Sequence, residues 1–181
     1  MGIMTKAKGD KVHTRSIEIN TYEYDDRHLV VEGCLMDRRT GDYFLISGEK
    51  RPPGVVHHMV IRMLVDISTL TIEDIEAEMP TVPHEECLET LESLAPVKGM
   101  RIASGFTLKV KELIGGIKGC SHLQALLIAM APAAIQGFGA YQSQRPSGYG
   151  SNLPLIIQFL INTCWPWRED GPLVRLHLYK N

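Results

Sequence analysis

Apolar and polar residues alternate through the first half of the chain, and this alternation predicts β-strands. It is clearest over His13–Tyr24, His28–Leu35 and Val55–Val65, where apolar or β-branched residues recur at every second position. Thr71–Met79 continues the pattern with several acidic residues that would keep one face in water. The polar stretch Met36–Gly54 is interpreted as turns around one short strand. Together these segments predict an antiparallel sheet.

The second half of the chain has the three- and four-residue spacing of helices. Helices are predicted over His84–Ala95, Gly105–Ile114 and Ser121 to about Tyr141. A short alternating run, Leu173–Tyr179, predicts one more strand at the end. Because strands come first and helices follow, the sequence favours an α+β fold, an antiparallel sheet followed by packed helices, over a doubly wound parallel sheet.

The length of 181 residues predicts a single domain over 1–181, with a disordered tail over 1–12 and a flexible loop over 142–152. The formal net charge is −2 and the charges are interleaved, so neither nucleic acid nor an anionic membrane is an expected partner. No apolar run near 20 residues and no leader stand out, so the expected location is cytoplasmic. The sequence leaves open whether the chain binds a second copy of itself or another protein.

A glycine-rich turn before the longest predicted helix holds the clearest candidate chemistry. Gly119-Cys120-Ser121-His122 places a thiol and an imidazole two residues apart at the predicted helix start. The free N–H groups and the dipole of a helix N-terminus stabilise a thiolate, the form that binds metals and attacks electrophiles. Cys120 is therefore the candidate nucleophile or metal ligand, and His122 its neighbour.

Other cysteines and histidines could complete the same site. Cys87 lies near the start of its own predicted helix, so its sulfur and that of Cys120 could share a metal if the two helix starts converge. His57 opens a predicted central strand, and alternation turns its neighbour His58 to the other face. Cys164, before two tryptophans, is held in reserve as a third sulfur.

Two resemblances emerge from these residues. His13-Thr14-Arg15, Gly115-Gly116 with the 119–123 run Gly-Cys-Ser-His-Leu, and Asn162-Thr163-Cys164 together resemble a bacterial family of uncharacterised proteins. That likeness implies no particular activity. More distantly, Pro53 to about Ala134 is similar to the U-type iron–sulfur cluster assembly scaffolds and their sulfur-acceptor relatives. This second likeness implies a SufE/NifU-like fold, with cysteines gathered at one end of the sheet.

The scaffold resemblance also implies a ligand set. The second and third cysteines of the scaffolds match Cys87 and Cys120. Their first cysteine falls near Val55, where this chain has no thiol, and the aspartate just beyond it corresponds to His57. The resemblance thus implies a mononuclear site of Cys87, Cys120, His57 and His122, and mixed sulfur and imidazole ligands suit zinc or, second, iron.

Three functions remain open from the sequence. The first is a protein with a Cys/His metal site that binds zinc or handles iron and sulfur. The second is an enzyme with Cys120 as nucleophile, its base being His122 or another histidine such as His57. The third is a non-catalytic interaction module with buried cysteines, which would dock a partner through 154–161 and the tryptophan pair.

Overall fold

The computed structural model describes residues 9–145 and 157–178. A four-stranded antiparallel sheet has the order β1-β2-β5-β6, and a separate two-stranded ribbon of β3 and β4 lies in the connection between β2 and β5. The strand bounds in chain order are β1 His13–Glu23, β2 His28–Arg39, β3 Tyr43–Phe44, β4 Lys50–Arg51, β5 Gly54–Asp66 and β6 Ile72–Thr81. The predicted sheet is thus confirmed.

Helical segments follow the sheet in the chain. They are a 3-10 segment Glu85–Val97, helix α1 Phe106–Ile114, a 3-10 turn Gly116–Lys118, helix α2 Ser121–Ser143, a 3-10 turn Trp165–Trp167 and helix α3 Pro172–Leu178. Residues 157–160 are also helical. Strands first and helices after confirm the α+β class.

The core lies between the sheet and α2. Every second residue of β2 from Leu29 to Leu35 is buried, and Met59, Ile61, Met63 and Val65 continue that buried face on β5. Helix α2 packs across β1, β2 and β5 through residues such as Leu126 and Phe138, which are almost fully buried. The packing carries the start of α2 to one end of the sheet.

The predicted α-helix over 84–95 is instead a run of 3-10 turns, Glu85–Val97. Its apolar residues explain the difference, because Leu88, Leu91, Leu94 and Val97 recur at intervals of three, which matches three residues per turn. Leu94 and Val97 are buried by this arrangement.

The predicted strand Leu173–Tyr179 is also wrong, since the chain forms helix α3, Pro172–Leu178, there. Proline is favoured at the first helical position, where its missing N–H is not needed. The alternation of Leu and polar residues in this segment therefore did not indicate a strand. Tyr179 and most of the predicted 142–152 loop and 1–12 tail lie outside the described residues.

Within the described residues, α2 is the one helix long and apolar enough to cross a membrane by length and composition, with a mean hydropathy of 1.5. The sequence analysis expected no apolar stretch of this length, and α2 differs from that expectation. Eight of its residues, including Leu123 and Phe138, are buried in the protein. Length and hydropathy alone therefore do not assign α2 to a bilayer.

Candidate functional site

Three neighbouring strands place polar side chains side by side at one end of the sheet. In the strand register, Arg15 of β1 pairs with Asp37 of β2, and Asp37 pairs with His57 of β5. The register shifts directly after this pair, where Arg38 faces Val55. Such irregularities often lie beside functional sites, because they redirect side chains locally.

Asp37 is the centre of this cluster and is only 4% exposed. Its Oδ1 accepts hydrogen bonds from Arg15 Nε at 2.8 Å and lies 3.0 Å from His13 Nε2, while its Oδ2 accepts from Arg15 Nη2 at 2.7 Å. The Arg15 hydrogen bonds, helped by His13, hold the pKa of Asp37 well below its usual range against the opposing effect of burial. Asp37 is therefore an ionised carboxylate fixed in one orientation.

Two imidazoles also approach that carboxylate. His57 Nδ1 lies 3.2 Å and His122 Nε2 lies 3.4 Å from Asp37 Oδ2. The two rings are stacked, with centroids 3.9 Å apart and an interplanar angle of 28°. His122 belongs to the first turn of α2, so the helix start and the sheet end meet here.

His57 Nδ1 has an unusual environment. The atom is buried and has no well-formed hydrogen bond within the described residues, although Asp37 Oδ2 lies 3.2 Å away. Burial lowers the pKa of His57, although the Asp37 charge opposes the shift. The ring is therefore neutral at neutral pH, so one of its two nitrogens carries a lone pair and the other a proton. A buried unpaired nitrogen of this kind calls for an explanation.

Cys120 lies at the N-cap of α2, beside His122. Its Sγ is 3.7 Å from His122 Nδ1, the ring nitrogen that faces away from Asp37. Burial raises the pKa of the Cys120 thiol, but the hydrogen bond to His122 and the N–H groups of Leu123 and His122 outweigh it, so the net shift is downward. The preceding Gly119 allows this placement, since a Cβ there would lie 2.7 Å from Ser93 Oγ and 2.9 Å from the carbonyl of Ile114.

One oxygen and two nitrogens thus form a set of potential metal ligands. Within the described residues, the group contains Asp37, His57 and His122, with their ligand atoms all within 4.8 Å of one another. The two oxygen–nitrogen distances, 3.2 and 3.4 Å, match the edge of about 3.3 Å expected for a tetrahedron with ligands at about 2.0 Å. The third edge, between the two imidazole nitrogens, is no longer than 4.8 Å.

The candidates named from the sequence are distributed unevenly around this point. His57 and His122 meet directly, and Cys120 touches the far nitrogen of His122. Cys87 sits half-buried against the core in the 3-10 segment, and Cys164 is exposed before the Trp165–Trp167 turn. Within the described ranges, neither Cys87, Cys120 nor Cys164 belongs to a group of three ligands at that spacing.

Sequence reasoning missed Asp37, Arg15 and His13 as site residues. Asp37 was assigned to a turn region, whereas β2 runs on to Arg39. The available signal was the alternation itself, because the buried positions Leu29, Val31, Gly33 and Leu35 lead to Asp37 at the next inward position. A carboxylate in such a place needs a partner.

A second group of potential ligands, His28, Asp66 and Glu73, lies at the opposite end of β2 and β5. Asp66 Oδ1 accepts hydrogen bonds from the backbone and hydroxyl groups of Ser68 and Thr69. His28 bonds Asp25 through one nitrogen and Glu73 through the other. Each of the three side chains already has its own hydrogen-bond partners, so this cluster is interpreted as structural.

The fold and the site define an α+β protein with a His/Asp cluster where its longest helix meets the sheet. Residues 13–136 match the model of the family described as Protein of unknown function (DUF2889), and the chain belongs to that family. No curated protein and no solved structure matches the chain. The similarity to iron–sulfur scaffolds therefore stays a prediction.

Proposed function

We propose that Asp37, His57 and His122 bind one divalent transition metal, with zinc favoured and iron second. The observation that carries the proposal is the buried, unpaired Nδ1 of His57, which lies with His122 Nε2 beside one carboxylate oxygen. A metal ion would use the lone pairs of both nitrogens and satisfy the buried atom. Two imidazoles and a carboxylate are ligands that both zinc and iron accept.

The neighbouring residues fit an outer shell around such an ion. Arg15 and His13 fix the carboxylate, and Oδ2 keeps a further acceptor site because Arg15 occupies only one of its lone pairs. Cys120 Sγ would accept a hydrogen bond from the Nδ1–H of His122, and this bond would orient Nε2 toward the ion. Three protein ligands leave a position for water or substrate, which would permit Lewis-acid chemistry.

This set differs from the one implied by the scaffold resemblance. It keeps His57 and His122, replaces both sulfurs by Asp37 and moves Cys120 to the outer shell. A single carboxylate with two imidazoles suits a mononuclear ion better than an iron–sulfur cluster, whose irons are held mainly by thiolates. We therefore favour a mononuclear metal protein over a cluster scaffold.

Metal titration of the full chain with zinc tests the proposal and separates the two ligand sets. One equivalent of zinc is expected to bind, with affinity unchanged in Cys87→Ser and lowered by no more than about 100-fold in Cys120→Ser, as for an outer-shell residue. Loss of binding in both serine variants would support the sulfur set. Failure of the wild-type chain to bind either zinc or iron(II) would refute a metal site.

A cysteine enzyme is the second candidate, and a specific contact favours it. Cys120 Sγ lies 3.7 Å from His122 Nδ1, and His122 Nε2 lies 3.4 Å from Asp37 Oδ2. The nucleophile, the base and the orienting carboxylate therefore lie in a row in space. In this alternative, His122 would take the thiol proton and Asp37 would stabilise the imidazolium. The same residues serve both candidates, so metal binding and thiol reactivity must be measured separately.

Alkylation by iodoacetamide at pH 7 measures that reactivity, with mass spectrometry to resolve the cysteines. In metal-free protein we expect Cys120 to react faster than Cys34, since burial and nearby glutamates raise the pKa of the Cys34 thiol. His122→Gln should slow Cys120 about tenfold and leave Cys34 unchanged. Equal rates for the two thiols would argue against the enzyme, and protection by zinc would favour the metal site.

A further inference from the structure

A separate cavity of about 640 Å³ lies between α1, α2 and residues 158–163. This volume falls within the range typical of small-molecule sites. None of its lining residues belongs to the Asp37 cluster. Its apolar lining includes Phe106, Ile128, Ala131, Ile135, Phe159 and Ile161.

Among the described residues that line the cavity, Arg101 is the one cation. The side chain is held in place, because its Nε donates to the carbonyl of Thr69 at 2.9 Å and its guanidinium carbon lies 5.3 Å from the centroid of the Phe159 ring. Within the described residues, no carboxylate lies within 4.0 Å of Arg101. Its charge is therefore oriented by neutral partners and remains available to an anion.

Uncharged polar side chains also line the cavity. The hydroxyl-bearing residues Ser104 and Thr107 line the cavity beside Arg101. The N-cap of helix α1, Gly105, also lines the cavity and offers no side-chain cap, so the positive end of the helix lies here. The cavity thus combines a cation and a helix N-terminus with apolar side chains in its lining.

We propose that this cavity binds a small amphipathic carboxylate of the fatty-acid type. The carboxylate would pair with Arg101, whose planar guanidinium matches that group in a forked geometry. The apolar part would lie against Phe106, Ile135 and Phe159. The site is independent of the proposed metal, because the two share no residue.

Titration of the full chain with decanoate, below its micelle concentration, tests the proposal by calorimetry and methyl NMR. We expect saturable binding with shifts at the methyl groups of Ile128 and Ile135. Arg101→Gln should weaken decanoate binding about tenfold or more, since a charge-assisted pair is lost. Lys109→Gln is the matched control, because it removes a charge from α1 outside the cavity lining and should leave binding unchanged.

Three outcomes would overturn the proposal. The first is no saturable decanoate binding, and the second is equal affinity in the wild-type chain and Arg101→Gln. The third is that the wild-type chain binds no decanoate but sediments as a dimer that Ile135→Trp dissociates. That result would assign the cavity to contact with a second copy of the chain. Decanol, which lacks the charge, should bind more weakly than decanoate and equally to the wild-type chain and Arg101→Gln. Zinc stoichiometry should not change in any of these variants, so the two proposals can fail separately.

Discussion

Replacing either His57 or His122 with glutamine is expected to lower zinc affinity by more than about 100-fold, beyond the effect typical of an outer-shell residue. Each change removes one of three proposed ligand atoms. Glutamine keeps a polar side chain of similar length but has no imidazole lone pair to offer. The affinity can be measured by competition with a chromogenic chelator at pH 7.

His58→Gln is the matched control for this prediction. It removes an imidazole from the residue next to His57, and strand alternation turns that residue to the opposite face of the sheet. Zinc affinity should remain at the wild-type value. Equal losses in all three variants would indicate unspecific histidine binding and contradict the site. Thermal unfolding of the metal-free variants would show whether any loss reflects an altered fold.

Gly137→Ala is expected to destabilise the protein by about 1–3 kcal/mol, because α2 lies too close to β1 for a methyl group. A Cβ at this position would lie 2.2 Å from Thr21 Oγ1 and 2.6 Å from Thr21 Cβ. Thr21 is short and branched, so it cannot swing away as the end of a long side chain could. Either the helix or the strand must move.

Gly139→Ala, two residues along the same helix, provides the comparison. A Cβ there meets nothing within 4 Å, so the change should stabilise the helix by about 0.5–1 kcal/mol through its better helix propensity. Urea denaturation of both variants measures the difference, and their free energies of unfolding should change in opposite directions. Stabilisation by both alanines would show that α2 does not approach β1 so closely.

Local patterns predicted the principal elements of this fold. Alternation located the long strands, and the three- and four-residue spacing located α1 and α2, since each pattern depends on residues that are near in sequence. The same reasoning placed Cys120 and His122 at a helix start, and the structure confirms that placement. It failed for the 3-10 segment and for α3, where short periodic runs fit more than one structure.

The sequence by itself determined the order of strands and helices, the start of α2 and the presence of a thiol and an imidazole two residues apart there. Only the tertiary structure decided that Asp37 lies between Arg15 and His57, and that His122 reaches the same carboxylate. These contacts depend on strand register and on the packing of α2 across the sheet. Periodicity does not encode them, because they join residues that are 20 or more positions apart.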